Sequence, residues 1–217
     1  MEIKTFIKRA KYTALFITIG TIVFAVGSFN PNQHTINKIT QKVEKEFTLK
    51  AQALGLHEPS FEFNNDDEFV VAMNKCIDFV NFQTEPHLRI PSEMIIGQAA
   101  LESAWGTSRF AREGNNLFGI RTYDTQVPHM LPQGVKKWKG WGVRVFESKC
   151  KGVRYFVDLL NNHHAYEDFR KTRAKMLQAN QPLDGVVLIK TLTKYSTTDN
   201  YADLVISIIK RLRGVEE

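Results

Sequence analysis

An uncharged, mostly apolar run near the start of the chain restricts the possible folds more than any other feature. Residues 12–29 contain no Asp, Glu, Lys or Arg, and twelve of the eighteen are aliphatic or aromatic. As a helix the run would be about 27 Å long, close to the ~30 Å hydrocarbon core of a bilayer. Residues 1–11 before it carry four Lys or Arg and one Glu. Since positive charge favours the cytoplasmic side, the remainder of the chain is predicted to face the opposite side.

This run allows more than one kind of segment. We predict an uncleaved, single-pass transmembrane anchor over residues 12–29. The small residues Ala25, Val26 and Gly27 also fit the cleavage site of a signal peptide, which would release a secreted protein. A buried core helix is the third alternative.

Export affects the interpretation of the two cysteines, Cys76 and Cys150. Outside the cytoplasm they could form a disulfide, because oxidising compartments preserve such bonds. Both also fall in apolar helical stripes, so two buried thiols fit the sequence equally well. With only two cysteines, a four-cysteine zinc site and a disulfide-stapled miniprotein are excluded.

Composition and patterning predict one compact domain after the anchor. Hydrophobic residues make up 43% and charged residues 24% of the 217, as in ordinary globular proteins. Residues 30–65 are predicted to form a linker and an amphipathic helix, and residues 66–213 the domain. Of the net charge of +6, half lies in residues 1–11 (four basic minus one acidic), so a general nucleic-acid binder is not predicted.

The predicted domain is mainly helical. Helical patterns begin with caps at Asp66 and Asp67 and at Ser92, and later ones follow a β-favouring segment at residues 115–146. One of the later helices is expected to open with Pro182 in its first turn. The middle segment is predicted to form a small β-hairpin lobe. A charged helix face with Arg170, Arg173 and Lys175 is predicted to be exposed to solvent.

A carboxylate, Glu102, lies on the apolar stripe of the helix predicted from residue 92 to residue 105. It follows Ile95 by seven residues and Ala99 by three, positions where surface helices normally carry apolar side chains. Burial and the negative helix C-terminus would both raise its pKa, and a general acid must stay protonated. A buried Glu paired with Arg109 or Arg121 is the alternative.

The residues after this helix suggest a sugar site. Trp105 and Gly106 end the helix, and residues 115–119 then combine polar amides with an aromatic ring. Cleavage of a glycosidic bond needs a carboxylic acid that protonates the leaving oxygen. An acid facing amides and aromatic rings is therefore a candidate glycosidase site.

Specific motifs strengthen this interpretation. They are residues 98–106 (QAALESAWG), 116–120 (NLFGI), 195–197 (YST) and 200–202 (NYA). Together they resemble the glucosaminidase domain of glycoside hydrolase family seventy-three, a family with a lysozyme-like α+β fold that cleaves the peptidoglycan strand after N-acetylglucosamine. Residues 105–109 (WGTSR) and the spaced motif of residues 161–173 resemble its Bax-type branch.

The resemblance implies roles for individual residues. Glu102 matches the catalytic acid, and Tyr201 matches a tyrosine that lines the cleft and influences catalysis. Substrate contacts are predicted at Gln98, Trp105, Asn116, Phe118 and Tyr195. No cofactor is implied. The resemblance also implies peptidoglycan as the partner. The predicted anchor would hold the domain at the cytoplasmic membrane, facing the periplasm or cell wall.

One departure from the family affects the mechanism. Many members carry a second Glu in the β-lobe, but residues 125–146 contain no Asp or Glu. The nearest acids are Asp124 and Glu147, and Glu147 fits the charge at the start of the next helix. Asp124 is therefore a candidate second carboxylate. Otherwise the 2-acetamido group of the substrate attacks the anomeric carbon.

Other functions remain open at this point. A muramidase or a lytic transglycosylase would use one acid in the same fold, and a catalytically weak wall-binding protein is a third alternative. Basic and aromatic residues at 136–154 suit anionic wall polymers and sugars better than nucleic acid. His163, His164 and Glu167 lack a further ligand at a telling spacing, so no metal site is predicted. Oligomeric state is not predicted.

Overall fold

The computed structural model describes residues 2–29, 33–53 and 57–214, which divide into two compact units. The first unit holds helices α1 (Glu2–Phe29) and α2 (Gln33–Ala53). Helix α1 includes residues 2–11 of the basic segment as well as the uncharged run. Residue 1, and residues 30–32 and 54–56 of the predicted linker and amphipathic helix, lie outside the described residues.

The prediction of a transmembrane helix is not confirmed. The side chains described in α1, residues 11–24, are exposed. Within residues 2–29, 33–53 and 57–214, no helix combines the length and the apolar character needed to cross a membrane.

The second unit begins at Glu58, ahead of the expected start at residue 66. Its helices are α3 (Asp66–Phe82), α4 (Ser92–Ser103), α5 (Arg109–Gly114), α6 (Lys149–Asn162), α7 (Glu167–Gln178), α8 (Gly185–Ile189) and α9 (Tyr201–Leu212). Its strands are β1 (Arg121–Thr122), β2 (His129–Met130) and β3 (Gly142–Arg144). Short 3₁₀ turns occupy Pro86–Leu88 and His164–Tyr166. The mainly helical α+β fold with a small β-lobe is confirmed.

The β-lobe is a three-stranded antiparallel sheet rather than a hairpin. Strand β3 is central, with Arg121 of β1 and Met130 of β2 both opposite Val143. Within the segment of residues 115–146, β-favouring runs occur in the sequence only at 117–123 and 142–146, which correspond to β1 and β3. Strand β2 was missed because it is two residues long and lies between irregular segments, so it carries no period-2 pattern.

Three helix starts differ from the predicted caps. Helix α4 begins with Ser92 itself, and Pro91 holds the cap position without a side-chain hydrogen bond to the first turn. Asn65 caps α3 by accepting a hydrogen bond from the Glu68 amide at 2.9 Å, and Asp66 and Asp67 follow in the first turn. Acidic groups there interact favourably with the helix dipole without being caps. Helix α8 is capped by Asp184, after the predicted opening residue Pro182.

Helix α4 runs through the core and packs closely on α9. Its residues from Met94 to Ala100 are all buried, which is typical of a helix enclosed by others. A Cβ at Gly97 would lie 3.1 Å from Cγ1 of Val205 on α9, so a larger residue would push the helices apart. This close approach brings Tyr201, the first residue of α9, to the side of α4.

A disulfide joins Cys76 of α3 to Cys150 of α6, with Cα atoms 5.2 Å apart. Both residues are buried. Of the two alternatives left open by the sequence, the structure has the paired cysteines.

The expectation of an exposed charged face on α7 is wrong for Arg173. Only 4% of this residue is exposed, and its Nη1 donates to the Leu88 carbonyl at 2.9 Å. The guanidinium also lies 5.2 Å from the Phe169 ring centre. Because Arg can bury its stem and bond backbone carbonyls, charge alone did not predict exposure. Arg170 is half-buried and donates to the carbonyls of Leu160 and His163, so it also differs from the prediction. Lys175 is exposed as predicted.

Candidate active site

Helix α4 ends abruptly one residue after Glu102. Ala104, Trp105 and Gly106 adopt left-handed backbone conformations with φ of 50°, 55° and 77°. The Ser103 hydroxyl stabilises this break, because it accepts from the Gly106 amide at 2.7 Å and donates to the Ala99 carbonyl at 2.5 Å. The chain therefore turns away before another helical turn could cover Glu102.

Glu102, near the end of α4, is partly buried against α9 and the turn of residues 116–120 before β1. Burial raises the pKa of its carboxyl group, and a hydrogen bond from Tyr201 partly opposes this effect. A Cβ at Gly119 would lie only 3.4 Å from Oε2 of Glu102, which brings the NLFGI turn against the acid. A carboxyl group with a raised pKa beside an open turn can act as a proton donor.

The alternative of a Glu102–arginine pair does not fit the structure. Arg109 donates to the Leu131 carbonyl at 2.6 Å and lies 3.7 Å from Glu113. Arg121 lies over the Trp141 ring, 4.3 Å from its centre. Neither guanidinium contributes to the pKa of Glu102.

Tyr201 connects Glu102 to the buried side of α4. Its hydroxyl accepts a hydrogen bond from Nε2 of Gln98 at 3.0 Å. Burial, and then the charge of Glu102, raise the pKa of Tyr201, so the hydroxyl stays protonated. It can therefore donate to Glu102 throughout the neutral range.

Gln98 lies deeper than a substrate contact would. Its side chain is fully buried, and its Oε1 has no hydrogen-bond partner in the described part of the chain. The geometry gives it the role of orienting Tyr201.

Asn116 is buried and shapes the turn before β1. Its Nδ2 donates to the carbonyls of Ile120 and Arg144 at 2.9 and 2.8 Å, and its Oδ1 accepts from the amides of Phe118 and Ile120. Both amide hydrogens are used inside the protein. The structure therefore supports a positioning role for Asn116 rather than the direct sugar contact that the motif suggested.

Phe118 and Tyr195 attach this turn to the helical part of the domain. Phe118 stacks on Phe156 with ring centres 4.1 Å apart, and its carbonyl accepts from the Tyr195 hydroxyl at 3.0 Å. The Tyr195 ring lies 5.5 Å from the Tyr201 ring. Phe118 is 2% exposed, so its ring offers little surface to a sugar.

Trp105 packs mainly against the protein itself. Its ring contacts Phe69 edge-on at 5.9 Å, and the Arg211 guanidinium lies 4.7 Å from its centre. The residue is partly exposed and adjoins the end of α4.

The second-carboxylate candidates lie outside this network. Asp124 is exposed, and its Oδ1 accepts from the Gln126 amide at 2.8 Å. Glu147 is exposed and immediately precedes Ser148, the cap of α6. Neither residue contributes to the pKa of Glu102.

One residue next to this network was missed by sequence reasoning. Tyr166 is 8% exposed, and its ring centre lies 6.1 Å from that of Tyr195. It belongs to the spaced motif of residues 161–173, which carried a family resemblance but no assigned role. The signal that could have identified it is its presence in this motif, whose other members lie at the corner between α6 and α7.

The basic part of the β-lobe is held by aromatic contacts. The Trp138 ring lies 4.5 Å from the His129 ring, and the neighbouring Lys136, Lys137 and Lys139 are exposed. These contacts fix the loop between β2 and β3 against the sheet.

Comparison with known families identifies this arrangement. The family model described as Glucosaminidase, mannosyl-glycoprotein endo-beta-N-acetylglucosaminidase, matches residues 82–214. The chain belongs to the glucosaminidase family. The predicted resemblance is thereby confirmed, and the matched region of this glucosaminidase contains Glu102, Tyr201 and both turns around them.

Curated relatives point to the same family. The glucosaminidase is 40% identical to Protein bax of Escherichia coli over 108 residues, which are 50% of this chain and 37% of that protein. It is 28% identical to Exo-glucosaminidase LytG of Bacillus subtilis, over 71% of this chain and 55% of that protein. The chain thus spans about half or less of the length of these relatives. The similarity to Protein bax supports the Bax-type branch.

Solved structures share the fold of the glucosaminidase. The glycoside hydrolase domain of Salmonella typhimurium FlgJ is 26% identical with a TM-score of 0.51, covering 70% of this chain and 90% of that one. The catalytic domain of the autolysin Auto from Listeria monocytogenes is 20% identical with a TM-score of 0.51, covering 79% of this chain and 95% of that one. This second likeness bears on the fold alone.

Proposed function

We propose that this glucosaminidase hydrolyses peptidoglycan, cleaving the glycan strand after N-acetylglucosamine with Glu102 as general acid. The observation that carries the proposal is the Glu102–Tyr201 contact at the end of α4. The carboxyl group has a raised pKa, an open turn beside it and a tyrosine hydroxyl bonded to it. Family membership and the names of the relatives support the choice of substrate.

In this mechanism Glu102 donates its proton to the oxygen that bridges two sugars. Burial favours the protonated form before the reaction. Tyr201 donates a hydrogen bond to the carboxylate that remains afterwards, so the loss of the proton does not leave a charge without a partner. Gln98 fixes the position of the Tyr201 hydroxyl from the opposite side.

The second part of the reaction is assigned to the substrate. The oxygen of its 2-acetamido group attacks the anomeric carbon as the bond to the leaving oxygen breaks, and water then opens the cyclic intermediate. Substrate assistance is a known exception to the two-carboxylate rule. The exposure of Asp124 and its bond to Gln126 favour this route over a second carboxylate.

The test compares wild type, Glu102→Gln and Glu113→Gln on purified peptidoglycan. Glu113 is an exposed carboxylate in a surface ion pair and serves as the matched control. Wild type and the control should release reducing N-acetylglucosamine ends, and Glu102→Gln should not. Undiminished release by Glu102→Gln would refute the assigned role.

Product analysis separates the alternative functions. Reducing N-acetylmuramic acid ends would indicate a muramidase, and 1,6-anhydromuramic ends a lytic transglycosylase. Both would use the same single buried acid. Binding of peptidoglycan without any new ends would indicate a wall-binding protein.

Export to the wall compartment is part of the proposal. Peptidoglycan lies outside the cytoplasmic membrane, and the Cys76–Cys150 disulfide is typical of oxidising compartments. Attachment to the membrane through residues 12–29 stays a prediction from the sequence. Fractionation of cells producing the full chain tests both points, since an exported, attached protein would be found in the membrane pellet and be accessible to external protease.

A further inference from the structure

Five rings form a continuous series from the catalytic acid to the protein surface, and we call it the aromatic row. Its members in order are Tyr201, Tyr195, Tyr166, His163 and His164. Successive ring centres lie 5.5, 6.1, 5.6 and 4.3 Å apart. The row begins at the hydroxyl bonded to Glu102 and ends at two exposed imidazoles.

We propose that the aromatic row binds further sugars of the glycan strand on one side of the scissile bond. This inference rests on the proposed function and extends its site to Tyr166, His163 and His164. Carbohydrates have apolar C–H faces and polar edges. The exposed imidazoles of His163 and His164 offer both ring faces and nitrogens, whereas the largely buried Tyr166 offers mainly its hydroxyl.

Tyr166 has a hydroxyl available for a ligand. It makes no hydrogen bond to the described residues. It is also not enclosed, since the fully buried side-chain oxygens without a partner in the described part of the chain are those of Gln98 and Asn161. The hydroxyl therefore reaches the surface although the ring is largely buried. Its charged form would raise the pKa of both Tyr195 and Tyr201, which places it near their hydroxyls.

The outer end of the row is held rigidly. Arg170 donates to the carbonyls of Leu160 and His163 at 3.1 and 2.7 Å, which fixes the corner between α6 and α7. Nδ1 of His163 accepts from the Ala165 amide at 3.2 Å, so this ring also has a defined orientation. A fixed corner lets the two rings bind a polymer without first being ordered.

His164 is the side chain best suited to a test. It is exposed and stacks on His163, and no described residue forms a hydrogen bond with its ring. His164→Ala should therefore fold normally. His87→Ala is the matched control, because His87 is also an exposed histidine in a 3₁₀ turn.

The experiment measures binding of peptide-free glycan strands to the Glu102→Gln protein, so it needs no turnover. Adding His164→Ala should weaken binding of long strands by about 2- to 10-fold, the range of one aromatic contact. Disaccharide-length fragments should be affected less, since they are too short to reach the end of the row. His87→Ala should change neither affinity. Equal losses for both lengths, or no loss for long strands, would overturn the proposal.

Tyr166→Phe gives a second, independent measurement. It removes only the hydroxyl and should weaken binding of long strands by about 2- to 10-fold with an unchanged melting temperature. Unchanged affinity would contradict a role for this hydroxyl. If the wild type cleaves no glycan while these binding differences are observed, the proposed activity fails and the row as a sugar site stands.

Discussion

The hydroxyl of Tyr201 donates a hydrogen bond to the carboxyl group of Glu102 from the first residue of α9. Burial of Glu102 raises the pKa of this carboxyl group, and the Tyr201 contact acts against the increase. Two elements far apart in sequence thus set the strength of one acid. The predictions below follow from this contact and from the turns around it.

Glu102→Gln should be at least as stable as the wild type at neutral pH. The pKa of Glu102 is higher in the folded state than in the unfolded state, where it is near 4.5. Glu102 therefore contributes fully to stability at pH values below the unfolded pKa. This contribution is lost as pH rises through the folded pKa. Thermal unfolding of both proteins at acidic and neutral pH measures the difference, which should favour the variant only at the higher pH. A less stable variant at neutral pH would contradict the assigned burial penalty.

Tyr201→Phe should lower activity and shift the alkaline limb of the rate–pH profile to higher pH. In the proposed mechanism activity requires protonated Glu102, so the rate should fall as pH rises through the raised pKa of this group. The lost hydrogen bond had stabilised the charged form, so removing it raises the pKa further. Rate–pH profiles check this, with Tyr123→Phe as control because Tyr123 is 74% exposed. A limb that moves to lower pH would exclude the proposed contact.

Asp124→Asn should change the rate of cleavage little. An asparagine oxygen can still accept from the Gln126 amide, so the local turn should persist. A carboxylate acting as base or nucleophile would instead cost about 10²- to 10⁴-fold on removal. Initial rates on purified peptidoglycan distinguish the two outcomes, and a loss of that size would assign the second catalytic role to Asp124.

Asn116→Ala should lower the free energy of unfolding by about 2–4 kcal/mol, because its four hydrogen bonds lose their shared partner. Activity should fall with it, since the turn at Gly119 faces Glu102. Denaturant unfolding gives the stability. Asn162→Ala is the control, because among the described residues that exposed amide donates to the Asp158 carbonyl alone. Equal losses in both variants would show that the turn is not specially dependent on Asn116.

Replacing both cysteines by alanine should destabilise the domain by about 4 kcal/mol, the loop-entropy expectation for residues 74 apart. Reduction of the wild type should have a similar effect. Unfolding midpoints with and without reductant provide the measurement, and the double variant should not respond to reductant. A wild-type midpoint that is insensitive to full reduction would argue against this contribution.

The sequence identified which residues gather at the candidate site better than it predicted their geometry. Glu102 was found because a carboxylate on an apolar stripe is a local contradiction that the sequence itself displays. Helix α9 is one of the helical patterns predicted after the β-favouring segment, since its apolar period is regular. Asn116 and Gln98 were taken for substrate contacts, because a motif records which residues matter but not whether they face a ligand or the interior.

Other features depended on contacts between distant segments. The burial of Arg173 depends on the Leu88 carbonyl, which lies 85 positions away, and no local pattern encodes that contact. The pairing of Cys76 with Cys150 depends on the packing of α3 against α6. Tyr166 gained its place beside Tyr195 in the same way, through the corner between α6 and α7.

The disulfide between α3 and α6 also links the enzyme to the thiol chemistry of its surroundings. A newly made chain in a reducing compartment lacks this crosslink, so the lobe that carries Glu102 is held together less firmly. Under the proposed export, oxidation outside the cytoplasm would complete the fold. A hydrolase exported in this way would reach its full stability only in the compartment that holds the proposed substrate.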